Sequence, residues 1–146
     1  MKFIDLYPGS MTDFTHQFVD NEALFNQAVA FWRGLEGIAG LIFLFAIAMG
    51  VFFAVFYYTA WNELPGRHYR PLHWAIWLVV TFIATFLLTW GFEYWQYKPR
   101  LEGANAVEIK IALMNGVYAL LTYLTVSFVW CNLKALPTNA YRLLKL

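Results

Sequence analysis

The sequence predicts an all-α, polytopic membrane protein in which three transmembrane helices follow an interfacial amphipathic helix at the N-terminus. Three observations carry that reading. Of 146 residues, 61% are hydrophobic and only 13% charged, whereas a soluble domain averages about half apolar and about a quarter charged. A chain this short buries only about 70% of its unfolded surface when it folds in water, so much of that apolar content needs lipid as its solvent. Finally, the apolar residues are gathered into three runs of membrane-spanning length with aromatic residues at their ends.

Residues 1–34 form an N-terminal helical segment. Ser10, with Asp13 three positions on, reads as the cap of a short helix. Asp20-Asn21-Glu22 reads as the start of a second, acidic where the helix dipole is positive. Leu24, Phe25, Ala28, Val29, Phe31 and Trp32 make most of one side of that helix apolar. A helix lying in the membrane surface is therefore expected, with an extension of the first span as the alternative. Gly34, Gly37 and Gly40 would allow a bend between the two. Polar and turn residues from Asp5 to His16 interrupt the start of the chain, so no cleavable leader is expected.

Residues 35–134 hold the three-helix transmembrane domain, with spans at 35–61, 74–95 and 110–133. The first is free of charge after Glu36, the second carries only Glu93, and the third is uncharged from Ile111 to Leu133. Each supplies the roughly 20 residues that cross about 30 Å of hydrocarbon. Without water to satisfy backbone groups, such runs must be helical. Trp74 and Trp77 open the second span, and Trp90, Tyr94 and Trp95 close it. Trp32 precedes the first span, Tyr57, Tyr58 and Trp61 end it, and Trp130 lies near the end of the third, all positions suited to aromatic belts. Pro65-Gly66 and Pro71 mark the first connector, Pro99 and Gly103 the second, and neither is long enough for a domain. Residues 135–146 make a short basic tail, in which Pro137 stops the helix and Thr138 or Asn139 could cap a last turn.

Three spans put the N-terminus and the second connector on one face. Lys2, Arg33, Lys98, Arg100 and Lys110 there balance Arg67, Arg70, Lys134, Arg142 and Lys145 on the other, so basic residues do not fix the orientation. Every acidic residue except Glu63 falls on the N-terminal face, which tips the expectation toward an N-terminus outside a bacterial inner membrane.

The residues that could carry function lie in polar series on apolar helices. Thr81, Thr85, Thr89 and Glu93 follow one another at spacing four, and Asn115, Tyr118, Thr122 and Thr125 alternate by three and four. Glu108 lies one heptad before Asn115, and Asn132 one heptad after Thr125. Such residues glue helices together, or line a watery path when several copies surround an axis. Ala46, Gly50 and Ala54 form a small-residue stripe that lets another backbone approach, from the same chain or a copy. Glu36 and Glu108 are expected at helix N-termini, where the dipole accommodates them. Glu93 is at a C-terminal end and calls for a cation, with Arg33, Lys98, Arg100 and Lys110 as candidates on its face, or for a charged ring around an assembly axis; the alternative is an exposed interfacial carboxylate in contact with headgroup water. Arg33, Glu36, Lys98, Arg100, Glu108 and Lys110 together form an interfacial charge cluster.

Other chemistry is not expected. A net charge of +1 suggests no nucleic-acid partner. The lone Cys131 excludes an intrachain disulfide and a multi-cysteine metal site; it could be lipidated, though a small apolar filler is the commoner role. His16, His68 and His73 lie in tails, connectors or at a span edge, so no mid-membrane pair is available for haem, and Arg67 and Arg70 make His68 and His73 part of a basic surface loop. No phosphate loop, nucleophile–base pair, cofactor or metal site is legible. The expectation is a non-enzymatic membrane protein in the lipid bilayer, first a homo-oligomer forming a pore or channel with its polar seams inward. The alternative is a non-conducting anchor or scaffold subunit of a larger complex, with a redox subunit third.

Overall fold

A computed structural model describes residues 2–62, 64–66, 71–98, 100–133 and 144–146, and these hold helices and turns without a strand. A single 3-10 turn, Phe3–Leu6, precedes α1 (Met11–Thr15), and another, His16–Phe18, follows it. Three long helices come next: α2 (Glu22–Phe56), continued by a π-helical turn at Tyr57–Trp61, then α3 (Pro71–Gln96) and α4 (Ala104–Asn132). All three are long and apolar enough to span a membrane: Glu22–Trp61 with 40 residues, Pro71–Gln96 with 26 and Ala104–Asn132 with 29. At 1.5 Å per residue they measure about 60, 39 and 44 Å, against about 30 Å of hydrocarbon.

The caps follow local chemistry. The Asp13 amide donates to Ser10 Oγ at 3.1 Å, and the Leu24 amide to Asn21 Oδ1 at 3.2 Å, so both expected N-termini are present. Pro71 is the first residue of α3, where a missing amide hydrogen costs nothing. Gly103, immediately before α4, has φ +78°, a left-handed backbone that favours glycine.

The N-terminal segment differs from the expectation. No bend separates a surface helix from the first span, because α2 runs unbroken through Gly34, Gly37 and Gly40. Its apolar face does not await lipid either. Ala28, Phe31, Trp32 and Leu35 are buried within the chain. The Phe14 ring meets Phe31 at 5.3 Å and Trp32 at 6.1 Å, so the short N-terminal helix covers the stripe assigned to the membrane surface. The glycines serve close approach instead: a Cβ on Gly34 would lie 2.7 Å from the Tyr97 ring, and one on Gly40 3.2 Å from Phe3.

The chain divides into two compact units, Met1–Leu44 with Phe86–Asn115, and Phe45–Thr85 with Gly116–Leu146. The first has a mixed core, in which Ile4, Phe14, Phe18 and Ile111 are buried together with Thr89, Glu93, Glu108 and Asn115. The second packs Ala54, Tyr57, Tyr58, Trp74, Tyr123 and Cys131 into one apolar and aromatic cluster. There, Tyr58 stacks on Trp130 at 5.3 Å, and Trp74 donates from Nε1 to Ser127 Oγ at 3.3 Å. The small-residue stripe is used inside this unit. A Cβ on Gly50 would fall 2.5 Å from the Ala119 carbonyl oxygen and 2.6 Å from Thr122 Cβ, so α2 and α4 touch there backbone to backbone.

Apolar residues predominate outward along the middle of all three long helices, among them Leu44, Phe52, Ile76, Ile83, Leu87 and Leu121. That is the surface expected of helices solvated by acyl chains. The aromatic residues at the span ends divide in two. Tyr94 and Trp95 face out, whereas Trp32, Tyr57, Tyr58 and Trp74 turn into the cores rather than to a belt.

Candidate functional site

The polar residues of the first unit meet where the second half of α3 faces the first half of α4. Spacing four puts Thr89 and Glu93 on one side of α3, and spacing seven does the same for Glu108 and Asn115 on α4. All four are between 0 and 1% exposed. Asn115 is the bridge. Its amide Nδ2 donates to Thr89 Oγ1 at 3.3 Å, and its Oδ1 accepts from the Tyr7 hydroxyl at 2.6 Å. Tyr7 is a functional partner that sequence reasoning missed. It is delivered by the N-terminal 3-10 turn from 108 positions away, and no spacing rule reaches that far.

Thr89 differs from the other threonines. Thr81 and Thr85 donate to the carbonyls of Trp77 and Thr81 at 2.7 and 2.8 Å. Thr122 and Thr125 likewise donate to Tyr118 and Leu121 at 2.9 and 2.8 Å. These hydroxyls are satisfied four residues back on their own helix. Thr89 uses its oxygen to hold another helix.

The two buried carboxyls have opposite surroundings. Glu108 is gripped at both oxygens by Arg100, with Nη1 at 3.0 Å and Nη2 at 2.8 Å. The guanidinium also lies 4.0 Å over the Tyr94 ring and donates to the Tyr94 carbonyl at 3.2 Å. A planar fork held on three sides is the geometry that makes arginine suited to a buried carboxylate. Glu93 is fully buried, and neither carboxyl oxygen has a hydrogen-bond partner. Among the described residues, no cation pairs with Glu93. Arg100 is committed to Glu108, Lys98 Nζ lies 5.5 Å over Trp95, and Arg33 and Lys110 are exposed. Glu36 also departs from expectation: it lies within α2 rather than at a helix start, and it pairs with Lys2 at 3.3 Å. The interfacial charge cluster thus resolves into two separate ion pairs, and Glu93 belongs to neither.

Tyr97 completes the site. It is the first residue after α3, its amide donates to the Glu93 carbonyl at 3.3 Å, and its ring meets Phe31 edge-on at 5.0 Å. The phenol oxygen is buried without a hydrogen-bond partner. Burial pushes this phenol up to about 12, and the Glu93 and Glu108 carboxyls add to the effect, so it keeps its proton across the physiological range. The other side of Tyr97 lines an open cavity of about 230 Å³ with Gln27, Phe31, Gln96, Lys98 and Leu101.

The remaining expected residues lie elsewhere. Thr81 and Thr85 are buried in the second unit, as are Ala46, Gly50 and Ala54. Tyr118 and Thr122 are partly exposed and Thr125 exposed, along one face of α4. Asn132 Nδ2 donates to the Phe128 and Leu144 carbonyls, both at 2.9 Å. Glu63, Arg67, His68, Arg70, Pro99, Lys134, Pro137, Thr138, Asn139 and Arg142 lie outside the described residues. Among the described residues no group of three or more His, Cys, Asp or Glu could hold a metal ion. No protein-family model matches the chain, and neither a curated protein nor a solved structure shows significant similarity to it.

Proposed function

We propose that the chain is a non-enzymatic integral membrane protein that serves as an anchor or scaffold subunit of a larger membrane complex. One observation carries this reading: Thr81, Thr85, Thr89, Glu93 and Asn115 are between 0 and 1% exposed within a single chain. Polar groups spent on internal helix packing are not free to line a path between copies, and the middle of each long helix faces outward with mostly apolar residues. A subunit of this kind meets lipid or partner helices through that surface. The test is the mass of the chain purified alone in detergent. A single 17.0 kDa chain supports the reading. A discrete homo-oligomer overturns it.

The homo-oligomeric pore is the second reading, favoured by the face of α4 that carries Tyr118, Thr122 and Thr125 and is still partly open. A conducting assembly would turn that face to its axis. Conductance in planar bilayers that disappears in Thr125→Leu would support it, and conductance indifferent to that change would remove it. In either reading we assign the chain to a bacterial inner membrane with its N-terminus outside and the first turns of α2 beyond the hydrocarbon. A cysteine introduced at Asp20 is then modified by a membrane-impermeant maleimide added outside intact cells. Labelling from the inside alone reverses the orientation.

A further inference from the structure

We infer that Glu93 is a proton-binding site, connected to the outside by the Tyr97 hydroxyl and the cavity beyond it. The argument begins with cost. A polar group removed from water must find partners or be unfavourable by several kcal/mol, and an ionisable group inside a membrane protein is by default a functional one. In this unit nearly every polar group has found them. Asn115 is held by Tyr7 and holds Thr89, Glu108 is held by Arg100, and Glu36 is held by Lys2. Glu93 and the Tyr97 hydroxyl are left over, fully buried and four residues apart on consecutive turns. Glu93 also acts electrostatically on the Tyr97 phenol, so the two unsatisfied groups belong to one neighbourhood, and unsatisfied buried groups ask for a functional explanation.

The chemistry of the pocket selects the ligand. Hard metal cations take about six to eight oxygen ligands. Glu108 is occupied at both oxygens by Arg100, and the Asn115 carbonyl by Tyr7. The oxygens left are the two of Glu93 and the phenol of Tyr97, too few for a dehydrated metal ion and sufficient for a proton. The titratable groups around Glu93 are Glu108 on α4, with Arg100 bound to it, and Tyr97 at the end of its own helix; Tyr7 joins through Asn115. Glu108 carries its own compensating charge in Arg100, so protonation at the site falls on Glu93.

Geometry supplies the route. The Tyr97 hydroxyl is buried, and Tyr97 lines the cavity together with Gln27, Phe31, Gln96 and Lys98. Gly34 leaves this ring its place, since any side chain there would strike it. Tyr97 and the Glu93 carboxyl do not bond directly, so the relay we infer needs one intervening water; a phenol that keeps its own proton can accept one hydrogen bond while donating another, as such a relay requires.

The experiment is an infrared titration of the full chain in lipid, following the stretch of protonated carboxyl groups as the pH is raised from mildly acidic to alkaline. The expected result is one such band at neutral pH, shifted on transfer to heavy water and lost at alkaline pH. It should be absent in Glu93→Gln, retained in the Arg100–Glu108 double variant Arg100→Met/Glu108→Leu, and slower to exchange in Tyr97→Phe. A wild-type protein with no protonated carboxyl at neutral pH overturns the inference without any variant, as does a band that survives Glu93→Gln. Loss of the band on adding sodium or lithium chloride at fixed pH would overturn the proton in favour of a metal cation.

Discussion

The two units solve the same problem, holding long apolar helices together, with opposite materials. The second uses shape. Its core is rings and small residues, its buried threonines Thr81 and Thr85 donate to their own helix, and Gly50 brings two backbones into contact. The first uses polarity, with a guanidinium on Glu108, an asparagine between a tyrosine and a threonine, and Glu93 left unanswered. Lipid offers no hydrophobic drive for helix association, so both packing and hydrogen bonds can do the work. Only the polar solution leaves chemistry behind. Shape complementarity needs no titratable group, so the presence of two carboxyls in the first unit asks for a reason other than adhesion.

Variants can break this contrast, and the largest effect belongs to the first unit. Arg100→Ala strands Glu108 as an uncompensated buried charge and lowers stability by about 3–5 kcal/mol. Removing both partners together, as in Arg100→Met/Glu108→Leu, returns most of that loss. Midpoints of unfolding in mixed micelles measure both, and a mild Arg100→Ala would mean that the pair is incidental. Next comes the second unit's backbone contact. Gly50→Ala drives a methyl into the Ala119 carbonyl and Thr122 and is expected to destabilise by about 1–3 kcal/mol by the same measurement. Gly116→Ala should cost less, because its close neighbour is the edge of the Phe82 ring, which can rotate away.

Tyr7→Phe removes the donor to Asn115 Oδ1 and should cost about 1–2 kcal/mol, measurable also as faster hydrogen exchange in the N-terminal turn. Glu93→Met sharpens the comparison by its sign: replacing an unsatisfied buried acid with an apolar side chain of similar length should stabilise by about 1 kcal/mol or more. A destabilising Glu93→Met would mean that the carboxyl is structural after all. The smallest effect is expected of Thr125→Val, within about 0.5 kcal/mol, because that exposed hydroxyl only bonds its own helix.

What the residues disclose unaided depends on how local the cause is. The three long helices are legible because an uncharged run of this length has only one low-energy backbone state in lipid. Ser10 and Asn21 are legible as caps because the groups they satisfy lie within three positions. The threonine series and the Ala46-Gly50-Ala54 stripe are legible as faces of helices, and the structure turns both inward within one chain. What covers the first turns of α2 was not legible. An apolar stripe from Leu24 to Trp32 states that it must be covered without stating by what, and Phe14 covers it at Phe31 and Trp32. Nor was the distribution of charge. Arg100 stands between Glu93 and Glu108, seven residues from one and eight from the other, and only three-dimensional placement decides which it grips. Tyr7 could not be assigned at all, because a hydrogen bond across 108 residues leaves no mark on local spacing.

The length of α2 has a consequence of its own. With its π-helical continuation to Trp61 it reaches about 60 Å, twice the thickness of a bilayer's hydrocarbon, and a helix of that length crossing a membrane must lean over or protrude. Large apolar residues face outward repeatedly from Leu41 onward, whereas before it Glu22, Asn26, Gln27 and Arg33 are turned out and Leu24 is the one large apolar residue of α2 among them. Protrusion at the N-terminal end leaves the fewest greasy groups wet. The first five turns then stand clear as a stiff post, roughly 30 Å tall and collared by Phe14 and Phe18, that would set the height at which anything outside the bilayer is held.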